Sequence, residues 1–129
     1  MTMIIDEPNR IDVSVETTYL EGQSSPEQGQ YAFAYNITID NRGSQAATLL
    51  RRHWIITDAN DKVEEVEGEG VVGENPTIQP GESFNYTSGA LLQTDIGHMR
   101  GSYQMVSEDG QLFDAEIPAF TLARPHALH

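Results

Sequence analysis

The sequence contains no cysteine, a single lysine and no long apolar run. Without cysteine the chain has no disulfide, no thiolate nucleophile and no zinc–thiolate site. No stretch approaches the ~20 apolar residues of a membrane span, and the first residues contain no apolar core of the kind found in signal peptides. We therefore expect a protein of the cytoplasm that does not contact membranes.

Basic residues are scarce. Twenty Asp and Glu stand against seven Lys and Arg, which gives a formal net charge of −13. Such a field repels nucleic acid and anionic lipid at long range, and an acidic surface of this kind most often serves solubility. The composition therefore argues against nucleic acid as a partner.

The chain has the size and apolar content of one compact unit. Its 129 residues include 38% hydrophobic side chains, spread along the whole length, which suffice for one core. We expect a single domain over residues 1–129, with its ordered part at about 11–123. The segments 1–10 and 124–129 lie outside the hydrophobic pattern and are expected to be flexible.

Apolar and polar residues alternate along several segments, with the two-residue period of a β-strand. The clearest case is the segment 31–40, where Tyr, Phe and Ile occupy every second position. The same period occurs at 13–19, 50–57, 84–86, 103–105 and 113–117. About seven strands are predicted.

Turn signals stand between these segments, and no window carries the apolar stripe of an amphipathic helix. This pattern predicts an all-β fold, an antiparallel two-sheet sandwich of the immunoglobulin or fibronectin type III kind. An up-and-down barrel is the alternative. The turn signals lie at 28–29, 41–44, 58–61, 79–82 and 108–110.

A glycine pattern follows one predicted strand. Gly68, Gly70 and Gly73 have the spacing of a dinucleotide-binding loop, which requires a helix N-terminus directly after it. Here Asn75 and Pro76 follow, and proline favours extended chain. A loop that uses its glycines for backbone conformation is the favoured interpretation, and binding of pyrophosphate is the minority one.

Basic residues concentrate at one place. Arg51 and His53 are predicted on one face of a strand, while Arg52 joins the apolar Leu50, Trp54 and Ile56 on the other. Arg52 is expected either to reach solvent at the edge of the sheets or to pair with a carboxylate or with backbone carbonyls. With Arg51 and His53, His98 and Arg100 could complete a pocket for an anion or an acidic peptide. These residues, with the three glycines, are the candidate binding site.

Metal and catalytic motifs are missing from the sequence. Asp58, Asn60 and Glu69 match positions 1, 3 and 12 of a calcium loop, but Lys62 and Val63 stand where an oxygen ligand and a glycine are needed. The histidines lack metal-binding spacing, and there is no nucleophile elbow or Walker lysine. We therefore predict no metal site, no cofactor and no enzyme.

Ordered blocks lie between about residues 13 and 122, at 49–58, 63–66, 68–76, 80–89, 99–105 and 113–120. They carry a resemblance to the bacterial ApaG family. It implies a sandwich fold and a small protein often encoded beside a dinucleoside polyphosphate hydrolase, of a family also called CorD and linked to cobalt resistance and magnesium efflux. Related domains occur in an F-box protein and in a polymerase-δ-interacting protein.

Two hypotheses about function follow. The first is a non-enzymatic interaction module that contacts a protein partner through edge strands or end loops. The second is a weak binder of Mg²⁺, Co²⁺, pyrophosphate or dinucleoside polyphosphate, because the family resemblance carries such associations. A homo-oligomer is also an alternative, since an exposed edge strand serves dimerisation equally well.

Overall fold

The computed structural model describes residues 8–127 of the chain. It consists of eight β-strands and two short 3₁₀ turns, and no helix in this part of the chain is long and apolar enough to cross a membrane. The strands are β1 (Ile11–Tyr19), β2 (Tyr31–Asn41), β3 (Ala47–Asp58), β4 (Val63–Glu69), β5 (Thr77–Ile78), β6 (Ser83–Leu92), β7 (Ile96–Ser107) and β8 (Leu112–Ala123).

The strands form two antiparallel sheets. The smaller sheet has the order β1-β2-β6, and the larger has the order β4-β3-β7-β8 with the two-residue β5 paired to the start of β3. The predicted all-β sandwich of the immunoglobulin and fibronectin type III kind is confirmed. Residues 8–10 and 124–127 are tied to neighbouring loops by backbone hydrogen bonds, while the rest of the two segments predicted to be flexible lies outside the described residues.

One prediction about β3 was wrong. Leu50 does not share the inner face with Arg52, Trp54 and Ile56, because a β-bulge lies between Leu49 and Arg51. Leu49 is fully buried and Leu50 only partly, so the inward positions shift from odd to even numbers at the bulge. An inserted residue reverses the facing of everything beyond it. The bulge lies where β3 exchanges β5 for β4 as its neighbour.

The hydrophobic core lies between the sheets and contains an aromatic cluster. The Trp54 ring lies 5.4 Å from that of Tyr35 and 5.8 Å from that of Phe120, in both cases edge to face. These rings belong to β3, β2 and β8, so the cluster ties the two sheets together. Edge-to-face pairs add about 0.5–1.5 kcal/mol beyond the area that they bury.

The two flanks of the sandwich differ. On one flank, the closed flank, β1 lies against β8, and the guanidinium of Arg124 stands 5.9 Å from the centre of the Tyr19 ring. On the other flank, the open flank, β4 and β6 stand apart, and β4 is exposed along nearly its whole length. The larger sheet therefore extends one strand beyond the smaller, and within residues 8–127 no strand covers the inner face of β4.

A buried pair of tyrosines predicts a pH dependence of stability. The hydroxyls of Tyr86 and Tyr103 are hydrogen-bonded across the sheets, and burial raises the pKa of both well above its usual value of about 10. Above pH 10 the unfolded chain loses protons that the folded chain keeps, so stability is full below pH 10 and falls as the pH rises further. We expect a loss of about 1 kcal/mol per pH unit for each tyrosine.

Urea unfolding between pH 8 and pH 11.5 measures this effect. The control is the double variant Tyr86→Phe/Tyr103→Phe, in which both hydroxyls are removed together, so that neither is left unpaired. The double variant should lose less free energy of unfolding at alkaline pH than the parent protein, and the difference is the contribution of the two tyrosines. An equally steep loss in the double variant would show that other groups control the alkaline transition.

Candidate functional site

The larger sheet divides the predicted site residues between its two faces. Arg51 and His53 lie on the outer face of β3, and exposed His98 and Arg100 lie on the same face of β7. Arg52 lies on the inner face. The sheet therefore brings four of the five predicted basic residues to a common surface and leaves Arg52 on the opposite face.

On the outer face the basic groups stand among acids. The Nε2 atom of His53 lies 3.8 Å from a carboxylate oxygen of Glu65 and 3.9 Å from one of Glu67. Beyond β7, exposed Asp114 and Glu116 lie opposite Gln104 and Ser102. Flanking carboxylates on both sides reduce the attraction that this surface can offer to an anion.

Arg52 lies at the open flank and binds backbone carbonyls. Its Nη1 atom donates hydrogen bonds to the carbonyl oxygens of Glu69 at 3.0 Å and Gly70 at 2.9 Å. Gly68 is in register with Arg52 on β4, and a Cβ there would lie 2.7 Å from the guanidinium group. The Arg52 guanidinium therefore occupies space that a side chain at position 68 would fill. Of the two alternatives expected for Arg52, the structure shows pairing with backbone carbonyls.

The glycine segment forms a tight hairpin. Val71 and Glu74 exchange two backbone hydrogen bonds of 2.9 Å around Val72 and Gly73, whose φ angles of 44° and 79° are both positive. This is the pattern of a type I′ turn. At Gly70, with φ of 64°, a Cβ would lie 2.4 Å from the Glu74 carbonyl oxygen. The glycines are therefore explained by backbone conformation.

Asn75 anchors this hairpin on the bulge of β3. Its side-chain amide donates to the carbonyl oxygens of Leu49 at 3.1 Å and Leu50 at 3.2 Å, and the Gly70 amide also donates to Leu50 at 2.9 Å. Val71 is buried in the core. No helix N-terminus follows the glycines, so the backbone dipole that holds phosphate in dinucleotide-binding folds is missing here.

Val72 occupies a conformation that β-branched residues rarely adopt. It is 53% exposed, and its positive φ costs free energy that an asparagine would avoid. We expect Val72→Asn to raise the free energy of unfolding by about 1 kcal/mol, measured by urea titration. Val63→Asn is the control, because Val63 is equally exposed on β4, and we expect no gain there. A loss of stability in Val72→Asn would contradict the turn geometry.

The open flank forms a groove between β4 and β6. It consists of three contiguous depressions of about 320, 380 and 300 Å³, joined through shared lining residues. The floor is formed by Arg52, Trp54 and Ile56 of β3, with Tyr35 behind them. Val66 and Glu64 line one wall, and the inward residues of β6 line the other, namely Tyr86, Ser88, Ala90 and Leu92.

Both ends of the groove are closed. At one end the Lys62 ammonium lies 3.4 Å from the side-chain oxygen of Gln93, and the Ala59 amide donates to Thr94 at 3.0 Å. At the other end stands the hairpin around Val72. The β6 wall spans residues 86–92, about 20 Å at the rise of an extended chain. The groove thus has the length of an extended segment of about six residues.

Within residues 8–127 no three His, Cys, Asp or Glu side chains converge as metal ligands would. The Asp58 carboxylate, which matched the first position of a calcium loop, accepts hydrogen bonds from the amides of Asn60 at 2.8 Å and Lys62 at 3.0 Å. It therefore closes the turn between β3 and β4. Glu69 lies at the far end of β4.

Comparison with known proteins gives the family. The model of the ApaG domain matches residues 21–107, which include the glycine hairpin and most of the groove. The chain belongs to the ApaG family. Protein ApaG of Thiobacillus denitrificans is 61% identical over 120 residues, covering 93% of this chain and 94% of the relative. Protein ApaG of an Azoarcus species is 58% identical over 123 residues, covering 95% and 97%.

Solved structures of similar proteins agree with this fold. The crystal structure of a Bordetella pertussis protein assigned the name ApaA has a TM-score of 0.91 and 49% identity, covering 95% of this chain and 99% of that one. An X-ray structure of a structural genomics target has a TM-score of 0.88 and 58% identity, covering 92% and 90%. The family expected from the sequence blocks is thus confirmed.

The wall that β6 contributes to the groove is not predicted by the sequence patterns considered above. The segment from Ser83 to Leu92 contains no charged residue and no proline, in a chain that is 21% charged. Edge strands usually carry such residues, which discourage pairing with other chains. An uncharged ten-residue strand in so acidic a protein was the available signal.

Proposed function

We propose that this ApaG-family chain is a non-enzymatic interaction module that holds a protein partner in the groove between β4 and β6. The observation that carries the proposal is the one-strand excess of the larger sheet, which leaves the apolar side chains of Ile56, Val66 and Leu91 at least partly exposed along the groove. Grooves of this kind are used by sandwich domains to bind extended segments of other proteins.

The lining supports recognition of protein. Trp54 and Tyr35 are only 3% and 5% exposed, so they form a rigid floor beneath the groove, and half-buried Arg52 and Ile56 are the floor residues that a partner can contact. Exposed Leu91 and Val66 extend the apolar surface toward the rims. The groove therefore combines a rigid apolar floor with polar rims, as binding sites usually do.

The titratable groups of the groove also favour binding over catalysis. Arg52 is held by two carbonyls, and Tyr86 shares its hydroxyl with Tyr103 in the core. Burial keeps the pKa of both tyrosines far above neutrality, so neither is a base at pH 7.

Binding of Mg²⁺, Co²⁺ or pyrophosphate, and the link to cobalt resistance and magnesium efflux, stay predictions from the family resemblance. The geometry favours them less than protein binding. Glu69 and Glu74 flank the glycine hairpin, and the nearest cation, Arg52, is already engaged by its carbonyls.

Site-specific photo-cross-linking in cells tests the proposal. A photoreactive phenylalanine analogue is placed at Ser88 in the groove wall and, as the control, at exposed Thr17 on the closed flank. We expect a discrete protein adduct at Ser88, identified by mass spectrometry, that is absent at Thr17 and is reduced by overproducing the unmodified chain.

The same adducts at both positions, or none at Ser88, would contradict the proposal. A third position, Arg100 on the outer face, shows whether the opposite face of the larger sheet contacts a partner instead. Each photoreactive protein is first compared with the parent by its thermal midpoint, so that a misfolded variant is recognised.

A further inference from the structure

The free edge of β6 lacks the features that protect the other sheet edges. β4 carries four glutamates in seven residues, and β8 contains a proline and is paired through a bulge. β1 contains Asp12 and Glu16 and is also covered by its contact with β8. β6 has ten residues without charge, proline or bulge. It is thus the edge best suited to pair with another strand.

The geometry beside β6 also has room for one more strand. The smaller sheet has three strands and the larger has four across its main path, so no strand of the smaller sheet lies opposite β4 among residues 8–127. A strand added to β6 would lie over β4 and close the groove. Every second side chain of that strand would point at Trp54, Ile56 and Val66.

The charged residues around this position indicate the charge of a strand that would bind there. Glu64 points into the groove, Asp58 and Glu69 line its ends, and Glu65 and Glu67 lie on the outer side of β4. Arg52 and Lys62 are the positively charged residues that line the groove. Because the chain also has a net charge of −13, these acidic surroundings favour the binding of a basic segment.

We infer that the groove accepts a basic, extended segment of another protein, which pairs with the free edge of β6 as a fourth strand and alternates apolar with Lys or Arg residues. This inference rests on the proposed function and adds the binding mode and the partner chemistry. A second copy of this chain fits less well, because self-pairing at β6 would bring together two chains of charge −13 with their glutamate-rich β4 edges close by.

The test uses synthetic peptides of about ten residues with the isotope-labelled full chain. The first alternates valine with lysine, the second alternates valine with glutamate, and the third has the composition of the first with a central lysine replaced by proline. Amide NMR shifts locate the binding, and cross-strand nuclear Overhauser effects to β6 show strand pairing. We expect the valine–lysine peptide to bind at β6 at least about tenfold more tightly than the other two.

Variants distinguish the mode of binding. Ser88→Arg places a positive charge in the groove wall and should weaken the valine–lysine peptide about tenfold or more, while Thr17→Arg makes the same charge change on the closed flank and should not. Glu64→Lys, at an exposed position that leaves the core intact, should reverse the preference between lysine and glutamate peptides.

Equal binding of the proline peptide, or shifts outside β4 and β6, would overturn strand addition. Shifts in β6 that depend on protein concentration without peptide would show that a second copy is the occupant, and would also overturn it. If groove-specific cross-linking at Ser88 succeeds while the peptides fail, the interaction module stands and the inferred partner chemistry is wrong. Failure of both removes the proposed function as well.

Discussion

Replacing Gly101 by alanine is expected to lower the free energy of unfolding by about 3 kcal/mol or more. Gly101 lies in β7 directly opposite Trp54 of β3, and a Cβ on it would stand 2.0 Å from the carbonyl oxygen of His53. That oxygen belongs to the backbone of a central strand, so it cannot move without separating β3 from β7. Urea unfolding followed by tryptophan fluorescence measures the loss.

Gly22→Ala is the matched control, because a Cβ at Gly22 meets no atom within 4 Å and its φ is not positive. We expect a change within about 0.5 kcal/mol there. If Gly101→Ala were as mild as Gly22→Ala, the close approach of β3 and β7 at Gly101 would be disproved.

Trp54→Ala should cost about 3–5 kcal/mol, since the ring is 3% exposed and fills the space between the sheets. The loss includes its edge-to-face contacts with Tyr35 and Phe120, so the two sheets lose their aromatic connection. Domains of this size are usually stable by only about 5–15 kcal/mol, so much of the total would be removed. Thermal and urea unfolding, followed by circular dichroism, measure the change.

Two further variants serve as controls for Trp54→Ala. Trp54→Phe keeps an aromatic ring at the same place and should lose less than half as much as Trp54→Ala. Val63→Ala removes an apolar side chain that is 58% exposed on the neighbouring strand, and should change stability by about 0.5 kcal/mol or less. A mild Trp54→Ala would mean that the cluster does not hold the sheets together.

Much of the fold could be predicted from the sequence because its strands bury one face. The alternation over residues 31–40 predicts β2, whose odd-numbered residues from Phe33 to Asn41 are buried. The bulge in β3 could not be predicted, because Leu49 and Leu50 are both apolar and either fits an inward position. Which one is buried depends on the pairing with β7, a contact between segments about fifty residues apart.

The candidate site was predicted only in part, for a related reason. The two-residue period places Arg52 on the inner face, but its carbonyl partners at Glu69 and Gly70 depend on how β4 ends. The groove depends on how many strands each sheet contains and on which edges become neighbours. Neither property can be read from a single segment of the sequence, although the absence of charge in β6 indicates that its edge is unusual.

A protein partner is proposed to bind on the inner side of β4, in the groove, and not on the outer face that carries Arg51 and His53. Amide hydrogen exchange of the full chain, alone and with the partner identified by cross-linking at Ser88, tests it most directly. We expect slowed exchange in residues 83–92 and 63–69, with the central strand β7 unchanged. Protection centred on β7 around His98 and Arg100, with β6 unaffected, would contradict it.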